Sequence, residues 1–244
     1  MKANNMKKFL LALLFAPITA FASGAALHLD SAPDISSDKE ALRSGAKTFV
    51  SYCLNCHGAS FVRYNRLIEL GFTEQEVKDG LMFTVEKIGE PMRVAARPAE
   101  QKLWFGAAPP DLSLIARARA SEDGTGADWL YTYLRSFYRD EKRPTGWNNI
   151  VFENVGMPHV LWELQGQQNL NHESHKNKIE LGVPGNMTTT EYDKTVANLV
   201  GFLVWIGEPG VGFRKQIGFA VLAFLLVLFG FAYKLKKEYW KDIK

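Results

Sequence analysis

The sequence predicts a mainly α-helical protein: a helical domain with long loop insertions, held on one C-terminal transmembrane helix. Three observations predict it. Apolar residues recur at helical spacing in two stretches opened by capping signals, at 37–53 and 188–206. An uncharged, almost wholly apolar run from Ile217 to Tyr233 ends in lysines. A short apolar segment behind Lys2, Lys7 and Lys8 opens the chain.

That opening segment, residues 1–22, reads as a cleaved signal peptide. Phe9 to Ile18 supplies the apolar run, and Ala20-Phe21-Ala22 the small-x-small cleavage pattern that leaves Ser23 as the mature start. The domain behind it, 23–213, is then exported. Ser37-Asp38-Lys39-Glu40 reads as a capping box with Ser37 as the cap. Leu42, Ala46, Phe49, Val50 and Cys53 follow on one helical face.

The helix delivers Cys53-Leu54-Asn55-Cys56-His57, which holds the only two cysteines of the chain. C-x-x-C-H is the pattern of c-type haem attachment. Two thiols at that spacing reach the two vinyl groups of one haem c, and the histidine becomes its proximal iron ligand. A structural zinc site needs four ligands. Neither another cysteine nor a suitably spaced histidine pair among His28, His159, His172 and His175 completes one. A thiol oxidoreductase would not need His57, and no strand pattern precedes the motif.

Phe61 to Leu70 and Thr73 to Met82 read as helices, the second capped by Thr73 with Glu76. Residues 91–98 read as a loop. Ala107 to Ser113, with Pro109 and Pro110, forms a rigid turn, after which Asp111 or Ser113 is expected to cap a helix carrying Arg117 and Arg119 to about Ala120. Beyond a loop at 121–126, Trp129, Tyr131, Tyr133, Leu134 and Phe137 mark an aromatic-rich helix. Residues 144–158 read as loop and 166–187 as a polar surface excursion or hairpin. Thr188-Thr189-Thr190-Glu191 is a second capping box, opening a helix with Tyr192, Val196, Leu199, Val200, Leu203 and Ile206 on one face. Gly207, Pro209, Gly210 and Gly212 end it.

The anchor is expected over 214–236, and the lysine-rich tail 237–244 is expected in the cytoplasm by the positive-inside rule. This places the domain 23–213 in the periplasm of a bacterial inner membrane. Residues 23–233 carry 21 basic and 24 acidic groups, a balance of −3. That balance gives no support to nucleic-acid binding and favours a basic protein partner through electrostatic steering.

The other axial position decides the chemistry. An open position suits oxygen or peroxide chemistry, whereas a methionine closes the iron and leaves electron transfer. Met82, Met92, Met157 and Met187 are the candidates after signal cleavage. Met82 reads as core and Met187 as structural. Met92 and Met157 both adjoin a proline in a loop, and Gly156 favours Met157 by permitting close backbone approach.

These residues resemble the cytochrome c1 family, the haem subunit of the cytochrome bc1 complex, over nearly the whole chain. The resemblance is carried by the haem motif with Phe61-Val62-Arg63-Tyr64, by Ala108 to Ser113, and by Arg117-Ala118-Arg119. It continues through Gly156-Met157-Pro158, Phe202 to Trp205 with Glu208-Pro209, and the lysine-ended anchor. It implies a cytochrome c-like helical haem domain with one covalent haem c, Met157 as sixth ligand, Pro109 and Pro110 lining the proximal side, and Arg119 on a propionate. A solvated helix position is the alternative for Arg119. The Gly124-Thr125-Gly126 loop leaves Trp129 outside the site. The implied partners are a cytochrome b subunit, a Rieske iron–sulfur protein as donor, and a soluble cytochrome c or equivalent acceptor, in a dimeric complex within the bilayer. The rival readings are a membrane-anchored cytochrome feeding a terminal oxidase and a haem peroxidase.

Overall fold

The computed structural model describes residues 28–171 and 178–242. The signal segment 1–22, Ser23, and the stretch holding His172 and His175 lie outside the described residues. Mainly helical architecture is what the described residues adopt. Helix α1 (Lys39–Thr48) begins at Asp38, whose carboxylate accepts from the Ala41 N–H. The predicted cap, Ser37, is one residue too early, because the shorter reach to the first turn falls to Asp38. Leu42, Ala46, Phe49 and Val50 are buried as the periodicity predicts.

The last turn of this helix widens over Phe49–Cys53, where the Leu54 N–H donates five residues back to the Phe49 carbonyl at 3.0 Å. Such wide turns recur at functional sites. Here it sets the direction in which the cysteine motif leaves the helix.

Strand β1 (Ala59–Arg63) and the short β2 (Pro91–Met92) form an antiparallel ribbon. Residues 61–63 are therefore strand where a helix was expected; a 3₁₀ helix follows over Tyr64–Leu70. Val62 and Tyr64 are buried while Phe61 and Arg63 face out, an alternation with the period of a strand. Helix α2 (Glu74–Gly80) opens at Thr73 with the predicted capping box to Glu76. Helix α3 (Pro98–Phe105) begins where the expected loop 91–98 ends, with Pro98 in the first turn, the helical position that tolerates it.

Helix α4 (Ile115–Ala118) is a single turn with no side-chain cap, so neither Asp111 nor Ser113 caps it. Both face the haem motif instead. Helix α5 (Gly126–Arg135) is opened by a Thr125–Asp128 capping box. Phe137 falls beyond it, in β3 (Phe137–Arg139), which pairs with β4 (Trp147–Asn149) inside the segment expected to be loop. After the short α6 (Trp162–Gln165), β5 (Gly166–Asn171) and β6 (Lys178–Pro184) form an antiparallel pair, the hairpin reading of that polar excursion.

Helix α7 (Thr189–Gly207) carries the second capping box and buries all six predicted face residues. It packs on α1 closely enough that a Cβ on Gly45 would overlap the Asn198 carbonyl, so only glycine fits there. Phe49 meets Phe202 across this contact with ring centroids 5.6 Å apart. Each fully buried phenylalanine contributes about 2–3 kcal/mol.

Helix α8 (Val211–Tyr239) is separated from α7 by three residues. Its segment Gln216–Tyr239 is long and apolar enough to cross a membrane, and none of its most apolar window is buried against the protein. At 1.5 Å per residue those 24 residues reach about 36 Å. Glu208, at the junction, pairs with Arg117 of α4 at 3.1 Å and with Arg214 of α8 at 2.7 Å.

The N-terminal arm is tied to α5. Asp128 accepts from the Ala32 N–H at 2.8 Å, and Thr132 Oγ1 accepts from the Asp30 N–H at 2.8 Å. Burial pushes the Asp128 carboxyl up, but hydrogen bonds from Thr125 and the Ala32 N–H outweigh it and hold the group below the usual carboxylate range. A depressed folded value stabilises above the unfolded pKa and is lost as pH falls through the folded one. Acidification below about pH 4 should therefore release the arm. Hydrogen exchange at Ala32 is expected to rise there, and in Asp128→Ala to be faster by roughly fivefold already at neutral pH, about 1 kcal/mol for a solvent-screened charged hydrogen bond.

Candidate haem site

The cysteine motif leaves the wide turn as a tight coil: the Cys56 and His57 N–H groups both donate to the Cys53 carbonyl, at 3.0 and 2.8 Å. Cys53 and Cys56 are free, half-buried thiols rather than a disulfide. Burial, reinforced by neighbouring Cys56, pushes the Cys53 thiol up to about 12. A redox-active C-x-x-C pair needs the opposite shift, toward the thiolate.

Three long-range ties hold the coil. The Gln101 side chain of α3, buried, donates to the Cys56 carbonyl at 2.8 Å. The Leu112 N–H donates to the Gly58 carbonyl at 2.7 Å. Asp111 accepts from the Ser60 N–H at 2.8 Å and the Ser113 N–H at 2.9 Å, and the Ser113 hydroxyl accepts from the Phe61 N–H at 3.0 Å. Residues 58–61 and 111–113 are thus zipped together, which puts the Pro109-Pro110 turn beside His57.

His57 Nδ1 lies 2.7 Å from the Pro110 carbonyl. A carbonyl only accepts, so Nδ1 carries the proton and Nε2 keeps its lone pair. Burial lowers the imidazole's pKa, against smaller opposing effects of the Pro110 hydrogen bond and the Asp111 charge. A neutral ring with Nε2 available, beside two unpaired thiols, fits a covalently attached haem.

A second group of side chains gathers around Met157. The Tyr133 hydroxyl donates to its sulfur at 3.4 Å. Tyr133 is buried on α5, and burial raises its phenol well above the ordinary value despite nearby Arg119. Its ring stacks on Trp129 at 4.8 Å and meets Phe137 edge-on at 5.0 Å. Phe137 in turn stacks on buried His159 at 4.9 Å. Burial lowers His159 to about 4, so that ring is a neutral part of the wall. The Arg119 guanidinium sits 4.4 Å over Trp129, which joins Arg119 to the same cluster and brings Trp129 in with it.

The Met157 loop is pinned by polar side chains. Asn149 Oδ1 accepts from the Val151 and Phe152 N–H groups at 2.9 and 3.2 Å, and Asn148 Oδ1 from the Asn154 N–H at 2.8 Å. Arg143 donates to the Asn154 carbonyl at 2.7 Å, at a residue whose φ is 62°. The other methionines lie elsewhere. Met92 is fully buried opposite Ala59, Met82 packs on the core, and Met187 accepts from Thr195 at 3.5 Å. Sequence reasoning did not find Gln101, Tyr133, Arg143 or the two asparagines. Only the aromatic density of 129–137 signalled any of them.

A half-buried C-x-x-C-H coil, a methionine loop and, among the described residues, one helix apolar enough to cross a membrane define a membrane-anchored c-type cytochrome with one covalent haem c. The chain belongs to the cytochrome c1 family: the model described as "Cytochrome C1 family" matches residues 31–243. It is 50% identical to the "Ammonia monooxygenase gamma subunit" of Nitrosomonas europaea, over 98% of both chains. It is 43% identical to "Cytochrome c1" of Allochromatium vinosum, over 98% of this chain and 100% of that one. It is 30% identical to "Cytochrome b/c1" of Bradyrhizobium diazoefficiens, over 84% of this chain but 34% of that longer one. Family membership makes this a membrane-anchored haem subunit of the bc1 type.

Asp111→Ala strands the Ser60 and Ser113 N–H groups. It is expected to lower stability by about 1–2 kcal/mol, read as a drop in the thermal midpoint of the detergent-solubilised protein followed by haem absorbance.

Proposed function

We propose that Cys53 and Cys56 bind the haem as thioethers, that His57 Nε2 and Met157 Sδ are its axial ligands, and that Arg119 holds a propionate. In this role the chain takes one electron from a Rieske iron–sulfur protein and hands it to a soluble cytochrome c or an equivalent acceptor. A bound haem c supplies a one-electron couple. The residues supply the rest. The observation that carries the reading is the Nδ1–carbonyl bond of His57 to Pro110 at 2.7 Å. It frees Nε2 at the one position a C-x-x-C-H motif requires for ligation.

Met157 is supported by its loop, which Asn148, Asn149 and Arg143 hold rigidly. Rigid ligands lower the rearrangement on reduction, and a thioether favours the reduced state. Arg119 is supported by its place over Trp129, beside the Met157 cluster, where a guanidinium can pair bidentately with a carboxylate. Pro109 and Pro110 line the proximal side. A partner cytochrome b is supported by the relative whose name joins b to c1 in one longer chain. The domain 23–213 faces the periplasm, with 1–22 removed as a signal, the anchor at 214–236 and the tail 237–244 in the cytoplasm. The lysines behind the anchor support that orientation. A dimeric complex follows from the family's assembly.

The name of the Nitrosomonas relative supplies a second reading, a subunit beside an ammonia-oxidising enzyme. Co-purification separates the two. The purified complex is expected to contain a cytochrome b and a Rieske protein and to give a c-type reduced-minus-oxidised spectrum. Recovery with a monooxygenase or a terminal oxidase instead would overturn the bc1 role. Met157→Ala should open the iron to carbon monoxide and lower the potential; an unchanged spectrum in a wild-type iron already open to ligands would favour the peroxidase reading. The acidic balance of the exported part predicts a stopped-flow rate with a basic acceptor that falls as salt rises.

A further inference from the structure

Tyr133 has no part in the roles above, yet its hydroxyl reaches the one sulfur proposed as a ligand. Its ring has little freedom to be anywhere else. Trp129 covers one face nearly parallel, at 14°, and Phe137 abuts it at 66°. The hydroxyl's partner is Met157 Sδ, at 3.4 Å.

A thioether sulfur has two lone pairs. One can serve a metal, and a proton donor on the other has two effects. It fixes the rotation of the terminal methyl, so that the remaining lone pair keeps one direction. It also withdraws electron density, which weakens donation to the electron-poor ferric iron more than to the ferrous. Both effects need a donor held by packing rather than by its own hydrogen bond, and the aromatic clamp provides that.

We infer that Tyr133 is a positioning residue for the Met157 sulfur, directing one lone pair toward the iron and raising the reduction potential through the hydrogen bond on the other. This rests on Met157 being the sixth ligand. Met187 also accepts from a hydroxyl, that of Thr195 at 3.5 Å, but this donor is a threonine on α7 rather than a phenol clamped between aromatic rings, and Met92 is enclosed in the β1–β2 ribbon.

Tyr133→Phe keeps the ring and both aromatic contacts and removes only the donor. It is read in the intact, purified membrane complex by potentiometric titration and by the far-red sulfur-to-iron band of the ferric form. At a fixed ambient potential the ferric-to-ferrous ratio is expected to shift three- to tenfold toward ferric, about 30–60 mV for a one-electron couple. The band is expected to move or weaken while the thermal midpoint changes little. Phe137→Leu is the comparison: it loosens the clamp but keeps the hydroxyl, and should shift the potential in the same direction by clearly less than Tyr133→Phe. An unchanged or raised potential in Tyr133→Phe overturns the inference, as does an equal shift in Phe137→Leu. Failure of the underlying reading looks different: Met157→Ala would then retain the wild-type far-red band.

Discussion

The bond from His57 to the Pro110 carbonyl is the interaction on which the rest of the site depends. It fixes the tautomer of the imidazole and the plane of its ring together. A lone hydrogen bond between a side chain and a turn would be worth little, about 1 kcal/mol. Here both partners are immobilised from behind. Proline fixes φ on the carbonyl side, while Asp111, Ser113 and Leu112 lock that turn to residues 58–61. Gln101 secures the Cys56 carbonyl from a third direction. The chain orders the imidazole by folding, so under the proposed ligation binding an iron would not have to.

The Met157 side is built by a different device. There the backbone is irregular, and amides and a guanidinium satisfy it. Asn148 and Asn149 stand on β4 and cap the N–H groups of the loop that follows, much as a helix cap would. Arg143 donates to the Asn154 carbonyl and side-chain oxygen and so helps hold its positive φ in place. Behind the loop, the aromatic wall from Trp129 to His159 supplies apolar, poorly hydrated surface. A low-dielectric wall disfavours the more highly charged ferric state, in the same direction as a thioether ligand.

Much of this was legible in the sequence. Periodicity and capping boxes read α2 and α7 correctly, because Thr73, Glu76, Thr188 and Glu191 act within one helical turn. The haem motif was legible because its chemistry is local as well. What stayed hidden was non-local. Asp111 looked like a cap for the next turn, yet it binds an N–H 51 residues earlier. Ribbon β1–β2 was hidden because its partner strand is only two residues long. Trp129 is separated in sequence from Arg119 by the Gly124-Thr125-Gly126 loop, yet it lies under Arg119 because Gly126 packs against the Ala116 carbonyl with no room for a Cβ. Nothing within 129–137 tells which aromatic meets Met157. That depends on the Arg143–Asn154 closure.

Glu208 bears on how such a protein must work. It ties the turn that leads to Arg119 to the first turn of α8, and only Glu208, Pro209 and Gly210 separate α7 from α8. The junction between the domain and its helix is therefore braced from both sides rather than left as an open linker. In the proposed role, that short, braced junction would keep a bound haem close to one distance from the anchor, and a partner would have to come to it.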